Sequence, residues 1–161
     1  MKRVQGNPDV ALIECTNPVK NKWRVRWDIA TDESGATSYI EEELNHRPSE
    51  DEIKGIISAW INARTDERIL SGFVYDGNMV WLSSENQFNY KAAHDLAVQT
   101  AGATLPVTFK LGSDDAPCYR TFTDIDSLTD FYSRAMAHIQ QALADGWSAK
   151  DNIDLGKYRV D

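Results

Sequence analysis

The sequence predicts an α+β fold in which antiparallel hairpins pack against three main helices. Three observations lead to this class. One segment alternates apolar and polar residues with a period of two, which is typical of a strand with one buried face. Polar turns separate short apolar runs, as they do in hairpins. Three longer segments carry apolar residues at helical spacing.

The N-terminal part of the chain predicts three strands. The first covers residues 10–15, and the clearest alternation follows in residues 23–29. Residues 37–44 form the returning strand, and we expect its acidic run, residues 41–43, to be solvated and to discourage edge pairing. The alternating strand has a predicted core face of Trp23, Val25, Trp27 and Ile29, and an opposite face, exposed or in an interface, of Arg24, Arg26 and Asp28.

Three helices are predicted from caps and from apolar spacing. Ser49 and Glu52 form a capping box, so the first helix runs from there to about residue 67. Ser84 is the expected cap of the second helix, and Gly146 is the expected end of the third. The apolar stripes are Ile53, Ile56, Ile57, Trp60 and Ile61 in the first helix, Phe88, Ala92, Leu96 and Gln99 in the second, and Ile125, Leu128, Tyr132, Ala135, Met136, Ile139 and Leu143 in the third.

Two hairpins flank the second helix. Asp76 and Gly77 lie between the apolar runs 71–75 and 79–82, and both residue types tolerate the positive φ of a tight turn. Residues 105–111 and 118–122 predict the second hairpin.

The predicted organisation is an N-terminal β-rich segment with a helix, residues 1–68, followed by a ββαββα domain, residues 69–161, or one compact unit that contains both. No internal repeat is apparent in the sequence. The length of 161 residues suits either arrangement.

Charge and composition exclude several functional classes. The net charge is −8 and the pI is near 4.8, which argues against a protein that coats nucleic acid. We find no apolar run of about 20 residues, the length that a membrane span needs, and no apolar core of a signal peptide. Cys15 and Cys118 are expected to be buried free thiols, although the sequence also permits a disulfide between them.

The first 26 residues are basic, in contrast to the acidic remainder. They suggest a candidate interface with an acidic neighbouring subunit or nucleic acid, or a simple balance of charge on an outer face. We expect residues 1–22 either to form an arm that contacts another protein chain or to pair with residues 23–29 of the same chain. The candidate interface residues are Lys2, Arg3, Lys20, Lys22, Arg24 and Arg26.

The chain lacks the common motifs of catalysis. His46, His94 and His138 lie on different predicted elements, and there is no glycine-rich phosphate loop. Asp114 is expected at a hairpin tip, and Asp124 is expected to cap a helix rather than to bind calcium. We therefore expect no metal, no cofactor and no enzymatic activity, with a hydrolase that uses scattered carboxylates as an alternative.

Four segments resemble a domain of unknown function that recurs in tail-associated proteins of bacteriophages and prophages: residues 69–77, 82–89 and 106–110 and the last helix up to residues 150–153. The resemblance covers about the C-terminal half. It implies a non-enzymatic structural protein of the virion or tail, made in the bacterial cytoplasm and acting through contacts with other phage proteins as a homo- or hetero-oligomer. A chaperone for tail-fibre assembly is the alternative within the same context. The resemblance assigns no functional residue.

Overall fold

The α+β class is confirmed by the computed structural model, which describes residues 1–159. The strands are β1 (Lys2–Gly6), β2 (Ile13–Asn17), β3 (Lys22–Thr31), β4 (Thr37–Leu44), β5 (Phe73–Tyr75), β6 (Asn78–Val80), β7 (Val107–Gly112) and β8 (Pro117–Phe122). The helices are α1 (Glu50–Ser71), α2 (Ser84–Gln99), α3 (Ile125–Asp151) and a short 3₁₀ helix (Leu155–Tyr158). None of the helices in the described range has the length and apolarity needed to cross a membrane.

Contacts divide the chain into two compact units. The first consists of Met1–Trp60 and the segment that begins at Lys150, and the second consists of Ile61–Ala149. The division into an N-terminal segment, residues 1–68, and a ββαββα domain, residues 69–161, stays a prediction, as does the alternative of one compact unit.

The first unit contains a four-stranded antiparallel sheet in the order β1-β4-β3-β2. Strand β1, which the sequence did not predict, pairs with β4, and β2 pairs with β3. Residues 2–6 and 13–17 are therefore strands of this chain's own sheet, as in the intrachain alternative, and do not form a separate arm. Strand β4 is an inner strand, so the prediction that its acidic run blocks a sheet edge is wrong.

The predicted alternation of β3 holds for its first part only. Trp23, Val25 and Trp27 are buried, and the Trp27 ring packs edge-on against Trp60 with centroids 6.3 Å apart. Asp28 has a φ of +51°, and the register with β4 shifts between Trp27 and Ala30. This β-bulge ends the alternation, so that Ile29 is 39% exposed instead of buried.

The core of the second unit is built around Phe131 on α3, which is fully buried. Five rings from both hairpins and α2 surround it, with centroid distances from 5.0 to 6.3 Å: Phe73, Tyr75, Tyr90, Phe109 and Phe122. Phe131 was absent from the predicted stripe of α3, whose members Leu128 and Ala135 are buried. Aromatic side chains carry large buried areas, so this cluster is a major source of the unit's stability.

Helix ends follow the predicted chemistry but not always the predicted residue. Ser49 caps α1, because its Oγ accepts a hydrogen bond of 3.2 Å from the Glu52 amide. The cap of α2 is Ser83 and not Ser84. Gly146 does not end α3, which continues to Asp151. Its role there is close packing: a Cβ on Gly146 would lie 2.4 Å from the Thr65 hydroxyl oxygen.

Candidate binding site

Three of the six candidate interface residues are paired with acids. Arg3 forms an ion pair with Asp28, and Arg24 Nη2 lies 2.7 Å from a carboxylate oxygen of Glu43. The third, Arg26, lies in the buried cluster described below. The other three are lysines that form no ion pair with a residue in the range 1–159: Lys2 on β1, Lys20 in the turn after β2, and Lys22 at the start of β3. Contact of these residues with another chain stays a prediction.

Arg26 is buried within the chain itself, so the prediction that it is exposed or in an interface is wrong for this residue. It is 4% exposed, and all three of its nitrogens donate: Nε to Glu41 over 2.8 Å, Nη2 to Glu14 over 2.7 Å, and Nη1 to the carbonyl of Ala11 over 2.8 Å. Burial alone lowers the pKa of Arg26, but the hydrogen bonds to Glu14 and Glu41 outweigh it, so the pKa is raised. Three of its five N–H donors are used within the chain and the side chain is buried, so this permanently charged guanidinium is a structural element of the sheet.

The histidines lie apart, and each has a local partner. His46 lies 2.8 Å from Glu52, the His94 ring stacks on Tyr132, and His138 Nε2 donates to the Arg68 carbonyl over 2.9 Å. Within residues 1–159, no three His, Cys, Asp or Glu side chains come together as a group that could hold a metal. Cys15 and Cys118 are free and only half-buried, in contrast to the predicted full burial.

The predicted roles of the two aspartates are borne out. Asp124 Oδ1 accepts from the Ser127 amide over 2.8 Å at the start of α3, and this hydrogen bond lowers the pKa of Asp124. Asp114 lies in the exposed loop between β7 and β8, where its carboxylate is 2.9 Å from Lys110 Nζ.

The second unit contains a groove of about 560 Å³. It lies between the end of β6, the first turns of α2 and strand β7 with the loop that follows. Its wall residues include Trp81, Asn86, Asn89, Tyr90, Lys110 and Asp114. Lys110 and Asp114 pair with each other, which raises the pKa of Lys110, so this lysine carries its charge at neutral pH and is a poor general base.

Two amide side chains hold the Trp81 loop in place. Asn86 Nδ2 donates to the Trp81 carbonyl over 2.8 Å, and Gln87 Nε2 donates to the Leu82 carbonyl over 2.7 Å. The Leu82 side chain is buried beneath the loop. The indole is therefore presented at the groove from a fixed backbone while 46% of Trp81 stays exposed.

Helix α2 presents a second exposed surface. Its buried residues are Tyr90 and Ala97, whereas the apolar stripe apparent in the sequence points away from this core. Phe88 is 70% exposed and Leu96 is 49% exposed. With the exposed Ala92 between them they form a row at positions i, i+4 and i+8, which we call the α2 outer stripe.

Sequence reasoning missed the groove because its walls come from separate segments, residues 79–90 and 108–114, that only the fold brings together. One signal was available. Asn86 and Gln87 come five and six residues after Trp81, in the first turn of the predicted helix. From these positions an amide side chain can reach back to the carbonyls of the preceding loop.

Comparison with known proteins assigns the chain to a protein family. A family model described as a domain of unknown function, DUF4376, matches residues 52–161, about two thirds of the chain. The match is longer than the resemblance apparent in the sequence, because it begins within α1 instead of at residue 69. Curated proteins and solved structures gave no match. The chain therefore belongs to the DUF4376 family, a domain of unknown function whose matched region begins in α1 and leaves the four strands of the first unit outside it.

Proposed function

We propose that this DUF4376 protein is a non-enzymatic structural component of a bacteriophage virion or tail that works by binding other phage proteins. It is made in the cytoplasm of the host bacterium and ends up in the particle. The resemblance of residues 69–77 and 82–89 to tail-associated proteins supports the phage context. The α2 outer stripe is the observation that carries the binding role.

The α2 outer stripe is suited to protein contact because of what it leaves exposed. Phe88 and Leu96 are large apolar side chains, and each is about half or more accessible although the same helix has a buried face of its own. Rows of apolar side chains at this spacing are the anchors with which a helix docks in a partner's groove. Burial of a phenylalanine contributes about 1.5–3 kcal/mol to such a contact.

The ionisable groups support binding in preference to catalysis. Lys110 and Asp114 in the groove pair with each other, and the three histidines lie on separate elements with separate partners. Arg26 and Glu41 pair within the sheet. General acid–base catalysis needs two such groups facing one substrate at complementary protonation states. The groups named here are instead engaged with partners of their own within the chain.

The test is mass spectrometry of purified particles from the phage, or the induced prophage, that encodes the chain. We expect the protein in the particles at a fixed ratio to the tail proteins. Absence from the particles, together with recovery bound to tail fibres in infected cells, would replace the proposal with the assembly-chaperone alternative. Absence from both would overturn the phage role.

A matched set of variants tests the surface. Phe88→Gln and Leu96→Gln remove the apolar side chains of the stripe and keep a good helix former in place. Val98→Gln is the control, because Val98 is an exposed apolar residue of the same helix that lies outside the stripe. We expect all three proteins to fold, as judged by circular dichroism, and only the stripe variants to be lost from particles. Normal incorporation of both stripe variants would rule out this surface.

A further inference from the structure

We propose that the groove beside Trp81 binds a neutral saccharide, with one pyranose ring stacked on the indole and its hydroxyl groups bonded to Asn89 and Tyr90. The site is separate from the α2 outer stripe, and the proposal does not depend on the phage role.

Trp81 offers a flat, fixed apolar surface. The hydrogen bonds from Asn86 and Gln87 to the carbonyls of residues 81 and 82 hold the loop before any ligand arrives. A ligand that stacks on this indole therefore does not have to order the loop, which lowers the cost of binding. The face of an indole carries partial negative charge and attracts the polarised C–H groups of a sugar ring.

Tyr90 provides an unpartnered polar group in the groove. The residue is 4% exposed and lines the groove, and its hydroxyl forms no hydrogen bond with another residue in the range 1–159. Burial is the cause that raises its pKa, so the hydroxyl is neutral and able both to donate and to accept. Within residues 1–159, Trp27 Nε1 is the only fully enclosed side-chain nitrogen or oxygen without a partner, so the Tyr90 hydroxyl reaches the solvent of the groove, where a ligand hydroxyl can replace water.

Asn89 adds the second polar group. Its exposed amide lines the groove and makes no hydrogen bond with another described residue. One amide supplies a donor and an acceptor side by side, which is the pattern that two neighbouring hydroxyls of a sugar ring require. The aromatic face, the phenol and the amide therefore match a ring with an apolar side and a polar edge.

The charge and the lining of the groove favour a neutral sugar over a phosphate, a carboxylate or a peptide. Lys110 and Asp114 are oppositely charged and lie 2.9 Å apart, so the groove has no unpaired charge for a phosphate or a carboxylate. Its volume of about 560 Å³ is within the usual range for small-molecule sites. A bound peptide strand needs a row of pockets along a sheet edge, whereas the lining here combines one exposed indole with an amide and a phenol.

The experiment is saturation-transfer NMR on the full chain, with cellotriose, maltotriose, mannotriose and chitotriose at millimolar concentration. We expect at least one of the four to receive saturation in its ring protons. Trp81→Ala should weaken that binding about tenfold or more, since it removes the stacking surface. Tyr90→Phe keeps the core ring and removes only the hydroxyl, and we expect a loss of several-fold, as we do for Asn89→Ala.

Trp147→Ala is the matched control, because Trp147 is an exposed tryptophan of the same unit on α3 and does not line the groove. The Trp147→Ala variant should bind the trisaccharide as strongly as the unaltered protein does. The proposal is overturned if none of the four trisaccharides binds, or if binding survives both Trp81→Ala and Tyr90→Phe. Displacement of the bound sugar by an uncharged peptide with higher affinity would reassign the groove to a peptide.

Discussion

Arg26 and Glu41 face each other across neighbouring strands of the sheet, with Nε 2.8 Å from Oε2 and both side chains about 5% exposed. The pair lies on the opposite face of β3 from Trp23, Val25 and Trp27. The guanidinium also lies 5.6 Å from the centre of the Tyr39 ring. This face of the sheet is therefore held by a buried ion pair with satisfied hydrogen bonds.

Glu41→Gln should destabilise the protein far more than Glu43→Gln. The first change leaves a buried Arg26 without its full countercharge, a situation that typically costs about 3–5 kcal/mol. The second weakens a partly exposed pair with Arg24, for which about 1 kcal/mol or less is expected. Urea unfolding followed by far-UV circular dichroism measures both, and Glu43→Gln is the control. Equal shifts of the two midpoints would contradict the structural role of the pair.

Most of the sheet was predictable from local patterns, but the burial of Arg26 was not. Period-two alternation identified β3 and its core face at Trp23 and Val25 because each side chain follows from the geometry of one strand. The polar face of a strand is solvated only if nothing covers it. Here Glu14 and Ala11, 12 and 15 residues before Arg26, bond to it, and that pairing depends on how the strands and the preceding loop come together in the fold.

Gly146→Ala should destabilise the protein despite a better helix propensity. An added Cβ would lie 2.4 Å from the Thr65 hydroxyl oxygen, so the Thr65 side chain, which bonds to the Ile61 carbonyl, or its helix has to shift, which costs about 1–3 kcal/mol. In a Thr65→Ala background that oxygen is gone, and the same change should be neutral or stabilising by about 1 kcal/mol, the advantage of Ala over Gly in a helix. Thermal melts of the four proteins give the coupling between the sites. Additive effects would contradict the close contact.

Trp27→Phe should cost much less than Trp27→Ala. The indole nitrogen of Trp27 is buried without a hydrogen-bond partner, so its loss forfeits no bond. The ring itself packs against Trp60, and its removal leaves a cavity that typically costs about 3–5 kcal/mol. Chemical denaturation of both variants gives the comparison. Equal destabilisation would mean that the indole nitrogen has a partner in solution.

The α2 outer stripe could be identified in part from the sequence, whereas the groove beside Trp81 could not. The α2 outer stripe was visible as Phe88, Ala92 and Leu96, but helical spacing alone does not say which of two apolar faces the core takes. Tyr90 and Ala97 occupy the core because they meet the aromatic cluster around Phe131. The groove has little local signature beyond the amides that follow Trp81, since its polar and aromatic groups meet only after α2 and β7 pack.

Tyr158 should make the stability of the first unit fall at high pH. Its hydroxyl donates to the Arg26 carbonyl over 3.0 Å, and burial, followed by the nearby Asp154 charge, raises its pKa to about 12. The unfolded chain has a tyrosine pKa of about 10. A raised pKa in the folded state means that this contribution is complete below about pH 10 and is lost as the pH rises towards about 12.

The measurement compares the free energy of unfolding of the protein with that of Tyr158→Phe from neutral pH to about pH 12. Phenylalanine cannot ionise, so the stability advantage of the unaltered protein should shrink across the window. Tyr75 and Tyr90 also have raised pKa values, and they act equally in both proteins, so the difference isolates Tyr158. Parallel curves across the whole range would show that the Tyr158 hydroxyl ionises as easily in the folded chain as in the unfolded one.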